Sequence, residues 1–214
     1  MNASLCLRPT GRHDLREHGV EELRYPYDCV LVVAGIPGAG KTTLLRRLFA
    51  LTGDEPAAAR TGDGARVLDS QQARTWWGRY LHRLPYAWWR PLVHTTYYGR
   101  LALTMRNHNG PVILHDCATR AWNRRLIMTA ARRSHKQVHL LLLDVDPPIA
   151  RAGQDSRGRR VSAASFVRHC RRWRRVCDAA LEEAGAIGPD IASAVIISRA
   201  GAQRLHAIHF EETP

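Results

Sequence analysis

"YDCVLVVAGIPGAGKTTLLRRLF", residues Tyr27 to Phe49, sets an apolar, β-branched run against an amphipathic one and joins them through a glycine-rich turn. "CVLVVA" reads as a fully buried strand, and the leucines after Lys41 recur at helical spacing. The turn itself, Gly35-Ile36-Pro37-Gly38-Ala39-Gly40-Lys41-Thr42, fits the pattern GxxxxGK(S/T), in the strand-to-helix context that the pattern requires. Glycines let successive backbone amides converge on one point, and the following helix aims its positive end at the same point. The turn, with Thr43 behind it, is therefore expected to cradle a triphosphate. Lys41 would reach the β- and γ-phosphates and the Thr42 hydroxyl would ligate Mg²⁺. A glycine turn that bound nothing would need neither the lysine nor the hydroxyl.

Working outward, short apolar runs alternate with longer segments of helical period. Strands are expected at "CVLVVA", "ARVLD", "PVILHD", "VHLLLLDV" and "SAVIIS", and helices at about residues 41 to 51, 70 to 82, 91 to 108, 120 to 134, 162 to 184 and 200 to 209. The alternation predicts an α/β P-loop NTPase fold: a parallel sheet of about five strands flanked by helices. A chain of 214 residues can bury one sizeable core. Residues 1 to 28 lack periodicity and read as an N-terminal extension or cap, with the P-loop domain over residues 29 to 214. The segment "WWGRYLHRLPYAWWRP" breaks the rhythm. Its tryptophans read first as helix–helix packing, with a substrate role left open.

The formal net charge is +13, from 32 basic and 19 acidic residues. A field of that sign attracts phosphate-bearing ligands or nucleic acid, although a coding bias toward arginine would give the same count on a merely solvated surface. Lys41 and Lys136 are the only lysines, which makes Lys41 stand out. No apolar run approaches the roughly 20 residues that span a bilayer and no signal-peptide core is visible, so a cytoplasmic protein is expected. The five cysteines form no CxxC pair and sit mostly in apolar segments, which argues against a disulfide framework or a zinc site.

Phosphate-binding turns serve switches, motors and kinases. No NKxD-type segment follows "SAVIIS", which disfavours a guanine-specific switch. No glutamate follows Asp116 or Asp144 to polarise water, which disfavours a motor. A kinase must instead exclude water and bring positive charge to the phosphoryl group in flight. "DPPIARAGQDSRGRRVS" clusters Arg151, Arg157, Arg159 and Arg160 around Gly153 and Gly158 and reads as a hinged arginine lid. In "FVRHCRRWRRVCDAAL", Phe166, Cys170, Trp173, Cys177 and Ala180 are expected to face the core.

With "GIPGAGKTT", "VLDSQQAR", "HDCATRAWNRRL" and "QDSRGRRVS" the chain resembles the P-loop kinases of the small-molecule and polynucleotide 5′-hydroxyl type, which include gluconate kinase, adenylylsulfate kinase, chloramphenicol phosphotransferase and the zeta-toxin-like kinases. It does not resemble the hexameric AAA motors. The resemblance covers about residues 28 to 210. It implies an Asp after the second strand that acts on the acceptor hydroxyl and an Arg one helical turn later that grips the substrate; Asp69 and Arg74 are the matching types. The Asp-x-x-Arg spacing of polynucleotide kinases is not kept, since position 71 is Gln71. Asp116 is the rival carboxylate, for Mg²⁺ or for the proton, and a strand-terminal Asp that only caps a turn is the alternative for either. Arg120 and Arg124 could hold an anionic substrate. Arg199, after the last strand, matches the adenine-side loop.

These readings lead to an ATP- and Mg²⁺-dependent kinase acting on a hydroxyl-bearing, small-molecule acceptor. Lys41, Asp69, Arg157 and Arg160 are its expected catalytic set, with Thr42 and Asp116 for the metal. A 5′-hydroxyl kinase of RNA or DNA and a nucleotide-binding regulatory module without turnover are the alternatives.

Overall fold

The computed structural model describes residues 5–51, 58–155, 161–182, 188 and 190–212. In chain order the elements are β1 (Cys6–Leu7), β2 (Gly11–Leu15), β3 (Glu22–Pro26), β4 (Cys29–Ala34), α1 (Lys41–Phe49), β5 (Ala59–Arg60), β6 (Arg66–Asp69), α2 (Ser70–Leu81), α3 (Tyr86–Asn107), β7 (Val112–His115), α4 (Ala121–Arg133), β8 (Gln137–Asp144), α5 (Pro147–Asp155), α6 (Ala163–Leu181), β9 (Ile191–Ser198), α7 (Arg199–Arg204) and β10 (Ala207–Glu211).

The main sheet runs β2-β9-β8-β4-β7-β6-β5, and every neighbouring pair is parallel except β5–β6. All of β4 is buried and β8 is buried from Val138 to Leu143, as a strand covered by helices on both faces must be. The five expected strands are β4, β6, β7, β8 and β9. Their C-terminal ends open on one side, where α1, α2 and α4 begin, and ligands of open α/β sheets bind on that side.

The segment before Cys29 supplies three further strands. β2 adds to the outer edge of β9 with Gly11 opposite Ser193 and Leu15 opposite Ile197. β3 lies between β1 and β10 in a second, all-parallel sheet. Tyr25 of β3 is fully buried there, with its ring edge on His139. "GRHDL" carries no apolar alternation, because an edge strand half-open to water has no need of one. The helix expected over residues 200 to 209 stops at Arg204, and β10 follows. "AIHFE" is recruited as a strand by its pairing with β3, a partner about 180 positions away that helical spacing cannot reveal.

Residues 147–155, expected to belong to a hinged lid, form α5, opened by Pro147 and Pro148 where the helix does not need their missing amides. Gly153 lies inside this helix rather than at a hinge. A Cβ there would come within 2.7 Å of the Gly38 carbonyl oxygen, so the absent side chain allows α5 to touch the phosphate turn. The tryptophan segment packs α2 on α3. Trp77 Nε1–H donates to Thr96 Oγ1 at 2.9 Å and the buried Trp89 donates to the Leu84 carbonyl at 3.2 Å, while Trp88 points outward. On α6, Phe166, Trp173, Cys177 and Ala180 are buried and Cys170 packs against them. No helix among the described residues is long and apolar enough to cross a membrane.

His139 carries a testable consequence of this core. It is 3% exposed, shares a 2.7 Å hydrogen bond with the Ser193 hydroxyl, and its Nε2 has no partner among the described residues. Burial therefore pushes the imidazole down from 6.5 to about 4. Between those values the unfolded chain binds a proton that the folded one refuses, so stability is complete above pH 6.5 and is lost as pH falls toward 4. The loss from this residue is about 3 kcal/mol. Urea unfolding at pH 7 and pH 4 should show that fall in the parent and a flatter one in His139→Gln. Identical slopes would remove His139 as the cause.

Candidate active site

β4 ends at Ala34 and α1 begins at Lys41, so the chain must reverse within Gly35–Gly40. It does so by placing Gly38 at φ 90° and Gly40 at φ 100°, both in the left-handed region that residues with a Cβ avoid. Gly40 caps α1 without a side-chain acceptor, so the first-turn amides keep their donors for another partner. Ile36 and Ala39 are buried and fill the underside of the turn, while Pro37, Gly38, Gly40, Lys41, Thr42 and Thr43 line a cavity of about 760 Å³. Lys41 is only 6% exposed and lies across the turn, with Nζ donating to the carbonyls of Gly35 at 2.8 Å and Ile36 at 3.1 Å.

The turn is also held from outside. Buried Gln154 of α5 donates to the Pro37 carbonyl at 3.0 Å, and its side-chain oxygen accepts from the Val161 amide at 3.1 Å. One side chain thus ties the phosphate turn to both flanks of the segment expected to carry the lid arginines. Arg157, Arg159 and Arg160 themselves lie outside the described residues.

Facing the turn are the ends of β6 and β7. Asp69 closes β6 and is the N-cap of α2: its carboxylate accepts from the Gln71 amide at 2.8 Å, while the Gln72 side chain accepts from the Asp69 amide at 3.2 Å. The β6–β7 register sets Asp69 beside His115, and Asp69 Oδ2 lies 2.5 Å from His115 Nδ1. Burial raises the Asp69 carboxyl, but His115, the Gln71 amide and the nearby Lys41 charge outweigh it and hold the group below its usual value. Asp69 is ionised at neutral pH. Asp116 follows β7, accepts from the Ala118 amide at 3.0 Å and from the Tyr98 hydroxyl at 3.4 Å, and lines the same cavity. Each carboxylate thus makes a local cap and still borders the open space.

The same cavity also has basic lining. Arg90 and His94 reach it from α3, and Arg120 reaches it from the N-cap of α4. The Arg90 and Arg120 guanidiniums make no hydrogen bond or ion pair among the described residues. Burial lowers the His94 pKa, and these two cations lower it further, so the three groups share one field. Thr119 and His169 meet at 3.2 Å on the adjoining wall, beside Asn123.

Of the residues expected to form the site, Lys41, Thr42, Thr43, Asp69, Asp116 and Arg120 come together around this cavity. Others do not. Arg74 points outward with its guanidinium 4.4 Å above the Tyr86 ring. Arg124 donates to the Ala118 carbonyl at 2.8 Å, and Arg199 is exposed at the start of α7; neither borders the cavity. His115, Arg90, His94 and His169 line it without having been foreseen. Only His115 left a local signal, as the neighbour of Asp116 at a strand end.

In Deinococcus radiodurans, the tunicamycin resistance protein superposes at 18% identity over 70% of this chain and 80% of its own, with a TM-score of 0.42. A structure from the PezAT chromosomal toxin–antitoxin system of Streptococcus pneumoniae shares 13% identity over 73% of this chain and 66% of its own, with a TM-score of 0.51, and shows the same fold. Among curated proteins none matches the sequence. The profile of the AAA domain matches residues 30–179, which span the phosphate turn, both carboxylates and Arg120. The fold is that of a P-loop NTPase, and the chain belongs to this AAA domain family.

Proposed function

We propose that the protein is a kinase that transfers the γ-phosphoryl group of ATP to a hydroxyl of an anionic small molecule. The observation that carries this reading is that the phosphate turn, two carboxylates and two guanidiniums without a partner among the described residues border one cavity. A water-activating ATPase would have no use for the two arginines beside the carboxylates, whereas an acceptor with its own negative charge would.

In this reading Lys41 exchanges its two carbonyl partners for phosphate oxygens, and the first-turn amides of α1 hold the remainder of the chain of phosphates. Thr42 in the first turn of α1 and the Asp116 carboxylate across the cavity suit Mg²⁺, which takes one or two protein oxygens and keeps several waters. When bound, the ion would offset phosphate charge. Arg90 and Arg120 grip the acceptor's anion, and the Asp69 side of the cavity receives its hydroxyl proton.

The test is transfer of label from [γ-³²P]ATP to a panel of hydroxyl compounds, some carrying phosphate or carboxylate and some neutral. Label is expected on anionic members. Arg120→Gln should raise the KM for them about tenfold, as loss of one charge-assisted contact would, with ATP affinity kept within about twofold. Label found only as inorganic phosphate would overturn the reading. Arg168, Arg171, Arg172, Arg174 and Arg175 are all exposed on α6, which favours a 5′-hydroxyl kinase of RNA or DNA as the second reading. Label on an oligonucleotide, at a rate falling steeply with salt, would select it.

A further inference from the structure

Three large apolar side chains of α3 stand in water along one line. Trp88 is 74% exposed, Leu92 44% and Leu103 52%, and helical spacing stacks them one above another on the same face. Thr95, Gly99 and Ala102, also exposed, fill the turns between them. The line is roughly 22 Å long at about 1.5 Å per residue. It carries no charge before Arg106, in a chain of which 24% of the residues are charged. A leucine exposed singly is ordinary, but a continuous apolar strip of roughly 400 Å² is of the size that marks interaction surfaces.

Gly99 shows that the strip is not shaped for this chain alone. Glycine inside a helix destabilises it relative to alanine, so its presence calls for a reason in packing. None lies within the copy: a Cβ at Gly99 would meet nothing among the described residues within 4 Å. Its smallness only leaves a notch in the strip. The opposite side of α3 is occupied, since Tyr97, Leu101 and Met105 are buried and Arg90 and His94 line the cavity. A body seated on the strip therefore leaves the cavity open.

We propose that the strip docks a second copy of this chain, with the two α3 helices antiparallel about a two-fold axis just past Thr95. A copy is selected over another partner because the strip matches its own reverse. Turned end for end about that axis, Leu92 falls on Gly99 and Trp88 falls on Leu103. A bulky side chain thus enters each notch, and two bulky ones cover each other at each end. A two-fold contact demands that self-complementarity. The notch lets the helices approach to the about 8–10 Å at which they pack. Charge fixes the location: two copies at a net charge of +13 repel, and a face without arginine is where they meet with no guanidiniums opposed. The pair removes about 1,000 Å² from water, the low end for a specific contact, so a Kd of about 10 µM is expected. The inference is independent of the kinase reading.

Sedimentation velocity of the whole protein across about 1–300 µM tests it. The parent should pass from monomer to dimer, and the dimer should tighten as added salt screens the net charge. Gly99→Gln, which fills the notch without touching its own copy, should weaken the dimer at least about tenfold while Tm holds or rises. Leu92→Arg, a good helix former at an exposed position, should weaken it as much by bringing charge into the contact. A parent that stays monomeric throughout the range would overturn the proposal. So would a dimer that both variants leave intact, since that contact lies elsewhere, or one that loosens as salt rises, as a contact made by charge does.

Discussion

Replacing Lys41 with methionine is expected to lower phosphoryl transfer by about 10³-fold, the scale of deleting one preorganised charge from a transition state, or about 4 kcal/mol. Lys41 is the one lysine bordering the cavity and the one cation embedded in the phosphate turn. At 6% exposure its charge acts through little water, so it counts for more than any surface arginine. Methionine matches the length and keeps the packing but cannot donate to the Gly35 and Ile36 carbonyls. Both residues are buried, so those carbonyls lose their donor, and unfolding should shift by about 1–3 kcal/mol. Calorimetry with ATP and labelled transfer in the same preparation separate the effects. Unchanged affinity together with unchanged turnover would remove Lys41 from the site.

Gly38→Ala should be nearly as damaging, for a reason seated in the backbone. At φ 90° an alanine is strained by about 1–2 kcal/mol. Its Cβ would also stand 2.0 Å from the Ala150 carbonyl oxygen, a backbone atom of α5 that cannot swing aside. The turn and helix must separate, which breaks the Gln154–Pro37 bond and opens the Gly153 contact. A loss of about 3 kcal/mol is expected, lowering Tm by roughly 6–12 °C for a chain of this size, with ATP affinity reduced at least about 100-fold. Gly40→Ala is the control. Its φ of 100° is as demanding, yet nothing among the described residues lies within 4 Å of its Cβ, so only the backbone strain should count against it. Equal effects at the two positions would show that the α5 contact contributes nothing.

What could be read from the sequence was what the chain encodes locally. The phosphate turn is legible because glycines, lysine and hydroxyl occupy eight consecutive positions between a strand and a helix. Asp69 and Asp116 are legible because strand ends are. The features that escaped are contacts between distant positions. His115 acquires its carboxylate only through the β6–β7 register, across 46 residues. Arg90 and His94 sit on a helix whose direction relative to the sheet no periodicity reports. Arg74 had the right type and nearly the right spacing, but from α2 it turns to Tyr86 and away from the cavity. The lid segment misled at its first half because its glycine was read as a hinge, whereas Gly153 is needed for its smallness inside a helix. β2 and β10 were hidden because strands at a sheet margin, half-bathed in water, carry too little apolar pattern to announce themselves.

The pairing of β3 with β10 has a consequence for how the chain is made. Glu22 to Pro26 pair with Ala207 to Glu211, a partner translated about 180 residues later. Until those residues are made Tyr25 has no completed sheet to cover it, so closure of this small sheet follows synthesis of every strand of the central one.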